Sequence, residues 1–179
     1  MNIRLATISD LVDIELIYNE AVKHMNDEGN YLQWIDFDSF KTGVINYIEN
    51  NNFYVVSNEK EIVGMFALIY GIDKTYNDII GEWENNDEYV TIHKIAVKYF
   101  KNNIASFIFN FIENKIINEG IYNIRIDTHK DNYSMKTLLK NREFRYCGII
   151  SITCNYSEEL SLREAYIKDL RVSNYEENK

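Results

Sequence analysis

The sequence predicts an α/β protein with a mixed sheet of about seven mostly antiparallel strands and helices on both faces. Two observations lead to this class. Strand-like and helix-like segments follow one another in the order β-α-α-β-β-β-α-β-α-β-β. Runs of neighbouring strands favour antiparallel pairing and strand–helix–strand segments favour crossovers, so the sheet is mixed and is covered on both faces.

The N-terminal part of the chain predicts one strand and two helices. Residues 3–6 alternate in polarity, and Thr7 and Asp10 have the spacing of a capping box at a helix start. The second helix begins near Asp36 or Asp38. Apolar residues at helical spacing form one face of the first helix: Leu11, Ile14, Ile17, Tyr18, Ala21 and Met25.

The next part of the chain predicts a hairpin followed by a long connection. Residues 53–56 and 62–70 are rich in apolar β-formers, and residues 57–61 form the turn between them. The connection from Gly71 to Asp87 has no regular pattern. Connections of this length often carry function, so we expect it to contribute to a site.

The stretch 89–132 predicts a cofactor site. A strand over residues 89–97 leads into a loop at 98–103, a helix over 104–119 and a second strand over 121–127. A short loop that opens directly into a helix leaves several amide N–H groups without partners, at the positive end of the helix dipole. Such donors suit a phosphate or pyrophosphate, and we therefore expect a nucleotide-like cofactor here.

The C-terminal part predicts a helix, two strands and a tail. The helix begins near Asn132, and the strands cover residues 144–152 and 163–168 with a turn at 157–159. Residues 171–179 form a polar tail that contributes little to a core.

Length and cysteine content predict one domain, residues 1–170, in the cytoplasm. A chain of 179 residues suits a single domain with a sizeable core. Cys147 and Cys154 do not make a disulfide framework, which favours a reducing compartment. The N-terminus shows no charged-then-apolar leader.

Charge, hydropathy and residue spacing argue against nucleic acid, membrane and metal as partners. The net charge of −9 disfavours nucleic acid, because that binding depends on neutralising phosphates with Lys and Arg. No apolar run is long enough to cross a bilayer, so no membrane partner is expected. No spacing of Cys and His indicates a metal site.

The second half of the chain resembles a known family. Residues 124–132, followed by Met135, residues 138–139 and residues 144–148, are similar to the second half of the Gcn5-related N-acetyltransferase (GNAT) superfamily. Residues 92–97 are similar to the acetyl-CoA strand of that family. The resemblance extends over roughly Asn2 to Leu170 and implies a GNAT-like fold with a splayed central strand pair, 89–97 and 121–127.

The resemblance implies an N-acetyltransferase that moves an acetyl group from acetyl-CoA, its cosubstrate, to a primary amine of a small molecule. The amine would attack the thioester directly, and no metal would take part. The pantetheine arm would enter between the splayed strands. The implied cofactor contacts are the backbone of Ile95, Ala96 and Val97, the N–H groups of Asn103, Ile104 and Ala105, and Asn132.

The pyrophosphate loop and one helix position depart from the family pattern. The pyrophosphate loop usually has the form Arg/Gln-x-x-Gly-x-Gly/Ala, and residues 100–105 keep only the small residue, Ala105. Asn103 stands where glycine is usual, and asparagine tolerates left-handed backbone geometry better than most residues. Leu139 stands where the family often has a tyrosine that acts as the general acid.

Two histidines are candidates for the general base. His93 matches a strand position where the family often has glutamate, and an imidazole can accept a proton near neutral pH. The alternative is a histidine packed within the sheet. His129 lies beside Asp131, which could orient it as a base, but a structural role at the helix start is favoured.

The long connection supplies candidate substrate contacts. Tyr76 and Trp83, with Glu82 and Glu84, suit a cationic amine, whereas the alternative is an ordinary lid packed on the sheet. Cys147 could be a nucleophile, but a cysteine in an apolar strand is more often a small core residue.

Two further functions and one assembly are open from the sequence. The altered loop and Leu139 suit a non-catalytic acyl-CoA-binding or regulatory module. A protein or peptide N-acetyltransferase is the other alternative. An exposed sheet edge at the C-terminal strands would make a homodimer reasonable.

Overall fold

The structure is a computed structural model that describes residues 1–98, 103–153 and 160–173. Within this part of the chain there are eight strands and five α-helices. The elements in chain order are β1 (Asn2–Leu5), α1 (Leu11–Asp27), α2 (Phe37–Glu49), β2 (Phe53–Ser57), β3 (Ile62–Tyr70), β4 (Ile79–Gly81), β5 (Tyr89–Val97), α3 (Ile104–Asn118), β6 (Asn123–Thr128), α4 (Tyr133–Asn141), β7 (Arg145–Thr153), β8 (Leu160–Asp169) and α5 (Leu170–Ser173).

The strand order in the sheet is β1-β2-β3-β5-β6-β8-β7-β4. The pairs β1–β2, β2–β3, β6–β8, β7–β8 and β4–β7 are antiparallel. The predicted α/β class with a mostly antiparallel sheet is therefore confirmed, with one strand more than expected among the described residues.

The additional strand is β4, which lies inside the predicted long connection. It pairs Ile80 with Ile149 and Gly81 with Gly148 on β7. The two glycines have φ of 137° and 144°, and a Cβ on Gly81 would overlap the carbonyl oxygen of Cys147. β4 pairs with residues 148–150 of β7 and stands at that end of the strand order, so the expectation that the C-terminal strands form the exposed edge is wrong at these positions.

The chain divides into two compact units, each built from separate stretches of sequence. The first contains Met1–Ile69 and Ile92–Ile112, and the second contains Tyr70–Thr91 and Glu113–Lys179. A single domain over residues 1–170 stays a prediction.

In the first unit, α1 and α2 cover one face of the β2–β3 hairpin. Alternate strand residues such as Phe53, Val55 and Met65 join one core with side chains from both helices. Five of the six residues predicted to form the apolar face of α1 are buried: Ile14, Ile17, Tyr18, Ala21 and Met25.

The other face of the same hairpin packs against α3. Tyr54 stacks on Phe66 with their ring centroids 5.0 Å apart, and Phe111 of α3 contacts both rings at 6.0 and 6.2 Å. Helices therefore cover both faces of the strands in this unit, as the sequence predicts.

The predicted helix starts are found in the first unit. The N–H of Thr7 donates to the Asp10 carboxylate at 2.7 Å, in the predicted capping pair, and a short 3-10 turn leads into α1. Asp36 is the N-cap of α2 and accepts a hydrogen bond from the N–H of Ser39 at 3.0 Å. These caps set the direction in which both helices leave the strands.

In the second unit, a partly buried ion cluster joins α3, the end of α4 and β8. Glu113 accepts hydrogen bonds from Arg142 at 2.9 Å and from Lys168 at 3.0 Å. Residues 171–173 of the predicted tail belong to α5. The predicted turn at 157–159, Cys154 and residues 174–179 lie outside the described residues. None of the described helices is long and apolar enough to span a membrane.

Candidate functional site

Strand β5 brings the predicted catalytic and pantetheine-binding positions together in the first unit. Ala96 and Val97 are buried, and Ile95 is half-buried. The strand was predicted with the same bounds, Tyr89–Val97, that it has in the structure. The backbone of Ile95, Ala96 and Val97 therefore lies at the end of a strand, as pairing with an extended ligand requires.

The regular alternation of β5 is broken at Lys94, which has a left-handed backbone with φ of 51°. Successive side chains of a regular strand point to opposite faces. Here His93 and Lys94 both reach α2. The His93 ring stacks on Tyr47 with centroids 6.4 Å apart and planes 9° apart, and the Lys94 Nζ lies 4.1 Å from the centroid of Phe40.

His93 is half-buried and its ring plane is fixed by the stack with Tyr47. A fixed imidazole plane is what a general base needs, and it is equally what a packed histidine shows. The role of His93 stays a prediction.

Lys94 was not singled out from the sequence. Burial lowers the pKa of its ammonium from 10.5 to about 8. Among the described residues it forms no ion pair, and its contact is with the face of Phe40. A left-handed lysine has no sequence signature, and no local pattern could have found this arrangement.

The start of α3 holds the described part of the predicted pyrophosphate site. Asn103 adopts φ of 54°, the left-handed geometry that glycine usually supplies, and its carbonyl accepts a hydrogen bond from Phe107. A Cβ on Gly64 would lie 3.2 Å from Cγ2 of Ile104, so α3 begins close against β3. Residues 100–102 of the loop lie outside the described residues.

The geometry of α3 leaves backbone N–H donors at its N-terminal end. The first N–H groups of an α-helix have no acceptor within the helix, and the dipole is positive at that end. The N–H groups of Asn103, Ile104 and Ala105 stand there, so the donor set fits a pyrophosphate.

An ion pair that sequence reasoning missed holds the end of β5 before the loop. Lys98 is buried, and its Nζ lies 2.8 Å from the Glu61 carboxylate. Its backbone N–H donates to the carbonyl of Val63 at 2.8 Å. These bonds attach the loop entry to the start of β3.

The second unit contains Asn132, at the start of α4. Its side-chain oxygen accepts a hydrogen bond from the N–H of Met135 at 3.0 Å, which makes it the N-cap of the helix. Its own N–H donates to the carbonyl of His129 at 3.0 Å. Asn132 is therefore rigidly placed, and its contact with a cofactor stays a prediction.

His129 is buried between β6 and α4. Its Nδ1 accepts a hydrogen bond from the N–H of Asp131 at 3.3 Å. Burial lowers the pKa of the imidazole, and the charge of Arg163 lowers it further. These contacts match the structural role that the sequence favours, and a contact of His129 with substrate stays a prediction.

Tyr76 lies in the core of the second unit. The residue is 1% exposed, and its hydroxyl donates to Asp127 at 2.6 Å. Burial and the Asp127 carboxylate raise its pKa well above the usual value. Trp83 stacks on it at 5.5 Å and donates from Nε1 to its carbonyl at 3.0 Å. The connection thus packs on the sheet, as in the lid alternative.

The aromatic rings of this connection hold a cation of the chain itself. The guanidinium carbon of Arg125 lies 4.1 Å from the centroid of Trp83 and 3.9 Å from that of Tyr89. Its NH2 donates to the carbonyl of Asn85 at 2.9 Å. The sequence does contain a signal for this contact, because Arg125 stands between two isoleucines in β6 and a cation in an apolar strand requires a partner.

Cys147 and Leu139 have the surroundings of core residues. Cys147 is 8% exposed, and burial raises the pKa of its thiol, which disfavours the thiolate that a nucleophile requires. Leu139 is fully buried. No group of three or more acidic, His or Cys residues within the described ranges could hold a metal ion.

No family sequence model and no curated protein sequence matches the chain. Its fold does match solved structures. A GNAT-family acetyltransferase from Streptococcus agalactiae is 26% identical, with a TM-score of 0.76 over 94% of each chain. A GNAT-family acetyltransferase from Listeria monocytogenes is 18% identical, with a TM-score of 0.67 over 94% of each chain.

A third similar structure is named ribosomal-protein-alanine N-acetyltransferase and comes from Brucella melitensis. It is 18% identical, with a TM-score of 0.60 over 95% of this chain and all of that chain. At 18% identity the Listeria and Brucella structures establish the shared fold. With the 26% identical match to the Streptococcus protein over nearly the whole length, they support the resemblance: the chain has the fold of the Gcn5-related N-acetyltransferase superfamily.

Proposed function

We propose that this protein is an acetyl-CoA-dependent N-acetyltransferase that acts on a primary amine of a small molecule. The observation that carries the proposal is the sequence of β5, a loop and the start of α3 in the first unit. It combines a strand with the left-handed Lys94 and a helix that begins behind the left-handed Asn103. This succession supplies backbone groups for an extended arm and amide donors for a pyrophosphate.

The residues of the first unit would bind the cosubstrate as follows. The backbone of Ile95, Ala96 and Val97 would pair with the pantetheine arm, as a neighbouring strand does. The N–H groups at the start of α3 would hold the pyrophosphate, since Asn103 takes the geometry of the usual glycine. In the second unit, Asn132 would contact the cosubstrate near the thioester.

The reaction would be direct transfer. The amine nitrogen attacks the thioester carbonyl carbon, the C–N bond forms, the C–S bond breaks, and sulfur leaves as the CoA thiolate. His93 would accept the proton of the amine, directly or through water. Because Leu139 is apolar and buried, it donates no proton, and the thiolate would leave without help from this position.

A second candidate is a non-catalytic acyl-CoA-binding module, which Leu139 at the usual acid position favours. The amine of a protein or peptide is the other candidate acceptor; the Brucella structure is named a ribosomal-protein-alanine N-acetyltransferase. We further expect a cytoplasmic protein, and a homodimer stays a prediction that no longer rests on the edge of β7 where β4 pairs.

Release of CoA thiol from acetyl-CoA tests the proposal, with a panel of small primary amines and peptides as acceptors. We expect turnover with a small amine. His93→Ala should lower kcat by about 100-fold and leave acetyl-CoA affinity nearly unchanged, because the proton acceptor is lost and the binding groups are kept.

The matched control is His24→Ala, which changes a histidine on α1 away from β5 and should leave turnover unchanged. An unchanged rate in His93→Ala would remove His93 from the mechanism. Acetyl-CoA binding without turnover on any amine would favour the non-catalytic module, and turnover on peptides alone would favour the peptide acceptor.

A further inference from the structure

The tip of the Lys94 side chain occupies a slot on α2, which we define as the ring of Phe40 and the backbone at Gly43. The Nζ of Lys94 lies 4.1 Å from the Phe40 centroid. A Cβ on Gly43 would lie only 3.1 Å from Lys94 Cε and 3.4 Å from Nζ. The end of the Lys94 side chain therefore lies in a space that the Cβ of any other residue at position 43 would crowd.

Two locally unfavourable features meet at this slot. Glycine inside a helix costs about 1 kcal/mol relative to alanine, and Gly43 stands in the middle of α2. A left-handed backbone at a residue with a side chain costs about as much, and Lys94 has one. Both features occur at the point where this amine lies against α2.

Burial at the slot disfavours the charged form of the amine, and it outweighs the attraction of the Phe40 ring for a cation. Phe40 is surrounded by further rings, with Tyr18 and Trp34 both at 4.7 Å. Among the described residues no carboxylate pairs with Lys94, and burial lowers its pKa to about 8. At pH 7.5 about a quarter of Lys94 would be neutral, against about one in a thousand for an ordinary lysine.

We infer that Lys94 is a self-acetylation site, whose ε-amine accepts an acetyl group from a thioester donor held along β5. The inference rests on the proposed function, because the donor is acetyl-CoA. A neutral amine is a nucleophile, and a lysine desolvated among apolar groups is one of the ways in which proteins activate it. Lys94 directly precedes Ile95, the first of the backbone positions proposed to bind the pantetheine.

The modification is balanced as a simple acyl transfer. The Lys94 nitrogen attacks the thioester carbonyl carbon, a C–N bond forms and the C–S bond breaks. The CoA thiolate leaves, and the proton of the amine passes to solvent. The product is a neutral amide, so the slot no longer holds a desolvated charge. An amide does not return its acetyl group to an amine, and the acetylated protein is a stable state and not an intermediate.

The first arm of the test measures the reactivity of the amine without acetyl-CoA. The protein is treated with a limiting amount of acetic anhydride at pH 7.5, and acetylation of each lysine is followed by peptide mass spectrometry. Lys60 is the internal reference, because it is exposed in the same unit. We expect Lys94 to react about tenfold faster than Lys60. Equal or slower reaction would overturn the inference.

The second arm uses acetyl-CoA alone, without an amine acceptor, and intact-protein mass spectrometry. The wild type should gain one acetyl group, mapped to Lys94. Lys94→Arg should gain none, and the matched variant Lys60→Arg should behave as wild type. Gly43→Ala should slow acetylation of Lys94 several-fold, because its Cβ crowds the amine, while alanine keeps the helix intact.

The outcomes separate this inference from the proposed function when acetyl-CoA binding is measured in parallel. Binding without acetylation of Lys94 overturns the inference and leaves the proposed function standing. No binding overturns the proposed function and self-acetylation by acetyl-CoA together, whatever the anhydride arm shows. Acetylation at Lys94 that Gly43→Ala slows supports both.

Discussion

Each unit of the molecule holds one of its own cations against aromatic rings, and the two arrangements differ in what they do to the charge. In the second unit, Arg125 lies between Trp83 and Tyr89 and donates to the carbonyl of Asn85. In the first unit, Lys94 lies on one ring, that of Phe40, and forms no ion pair among the described residues.

The difference follows from the chemistry of the two groups. Burial lowers the pKa of Arg125, but the ordinary value is so far above neutrality that the delocalised guanidinium keeps its charge. The compact ammonium of Lys94 has a pKa of about 8 in its slot and exchanges its proton near neutral pH. The same kind of aromatic contact therefore holds a permanent cation in one unit and an amine that can lose its proton near neutral pH in the other.

The largest change in the free energy of unfolding is expected on replacing Arg125. Arg125→Ala should lower the free energy of unfolding by about 3 kcal/mol, because it leaves a cavity between two rings and the partly buried carbonyl of Asn85 without its donor. Urea denaturation followed by fluorescence measures this change.

The matched control is Arg145→Ala on β7. Arg145 is 45% exposed and pairs with Glu84, so its removal should cost about 0.5 kcal/mol or less. Equal losses in the two variants would mean that the aromatic contacts of Arg125 contribute little.

Replacing Lys94 should change the free energy of unfolding in the opposite direction. Lys94→Met should raise the free energy of unfolding by about 1 kcal/mol at pH 7, because an apolar side chain of similar length fills the slot without the cost of a desolvated charge. Urea denaturation of both proteins measures the difference. A loss of stability comparable to that of Arg125→Ala would place Lys94 among the structural cations.

The smallest expected effect is the pH dependence of the difference in stability between Lys94→Met and the wild type. The folded pKa of Lys94, about 8, lies below the unfolded value of 10.5, so the unfolded chain binds more protons between these values. The wild type therefore gains stability relative to Lys94→Met as pH rises from about 8 to about 10.5, and the advantage of the variant shrinks. A difference that does not change with pH would contradict the lowered pKa.

The parts of the fold with strong local patterns were predictable from the sequence. Strand β5 has the predicted bounds, and α1 buries the residues that its helical spacing selected. Strand β4 was missed because three residues give no periodicity, and its pairing depends on the approach of Gly81 and Gly148 from distant parts of the chain. Local pattern cannot report such a contact.

The site was predictable only where backbone geometry follows from residue type. Asn103 was expected to tolerate the left-handed geometry that it adopts. The left-handed Lys94 could not be predicted, since lysine has no preference for that region, and its slot depends on Gly43 in another element. The aromatic residues Tyr76 and Trp83 were assigned to a substrate amine; in the structure they contact Asp127 and Arg125, and their contact with a substrate stays a prediction.

A calorimetric titration of the protein with acetyl-CoA, with free CoA beside it, tests the proposed cosubstrate site most directly. The wild type should bind with Kd of about 1 to 100 μM. Ala105→Trp should weaken binding at least about 100-fold, because the indole would cover the amide donors at the start of α3. Asn114→Trp, on the exposed side of the same helix, should bind as the wild type does. Absence of binding to the folded wild type at millimolar ligand, or full affinity in Ala105→Trp, would contradict the cosubstrate site at β5 and α3.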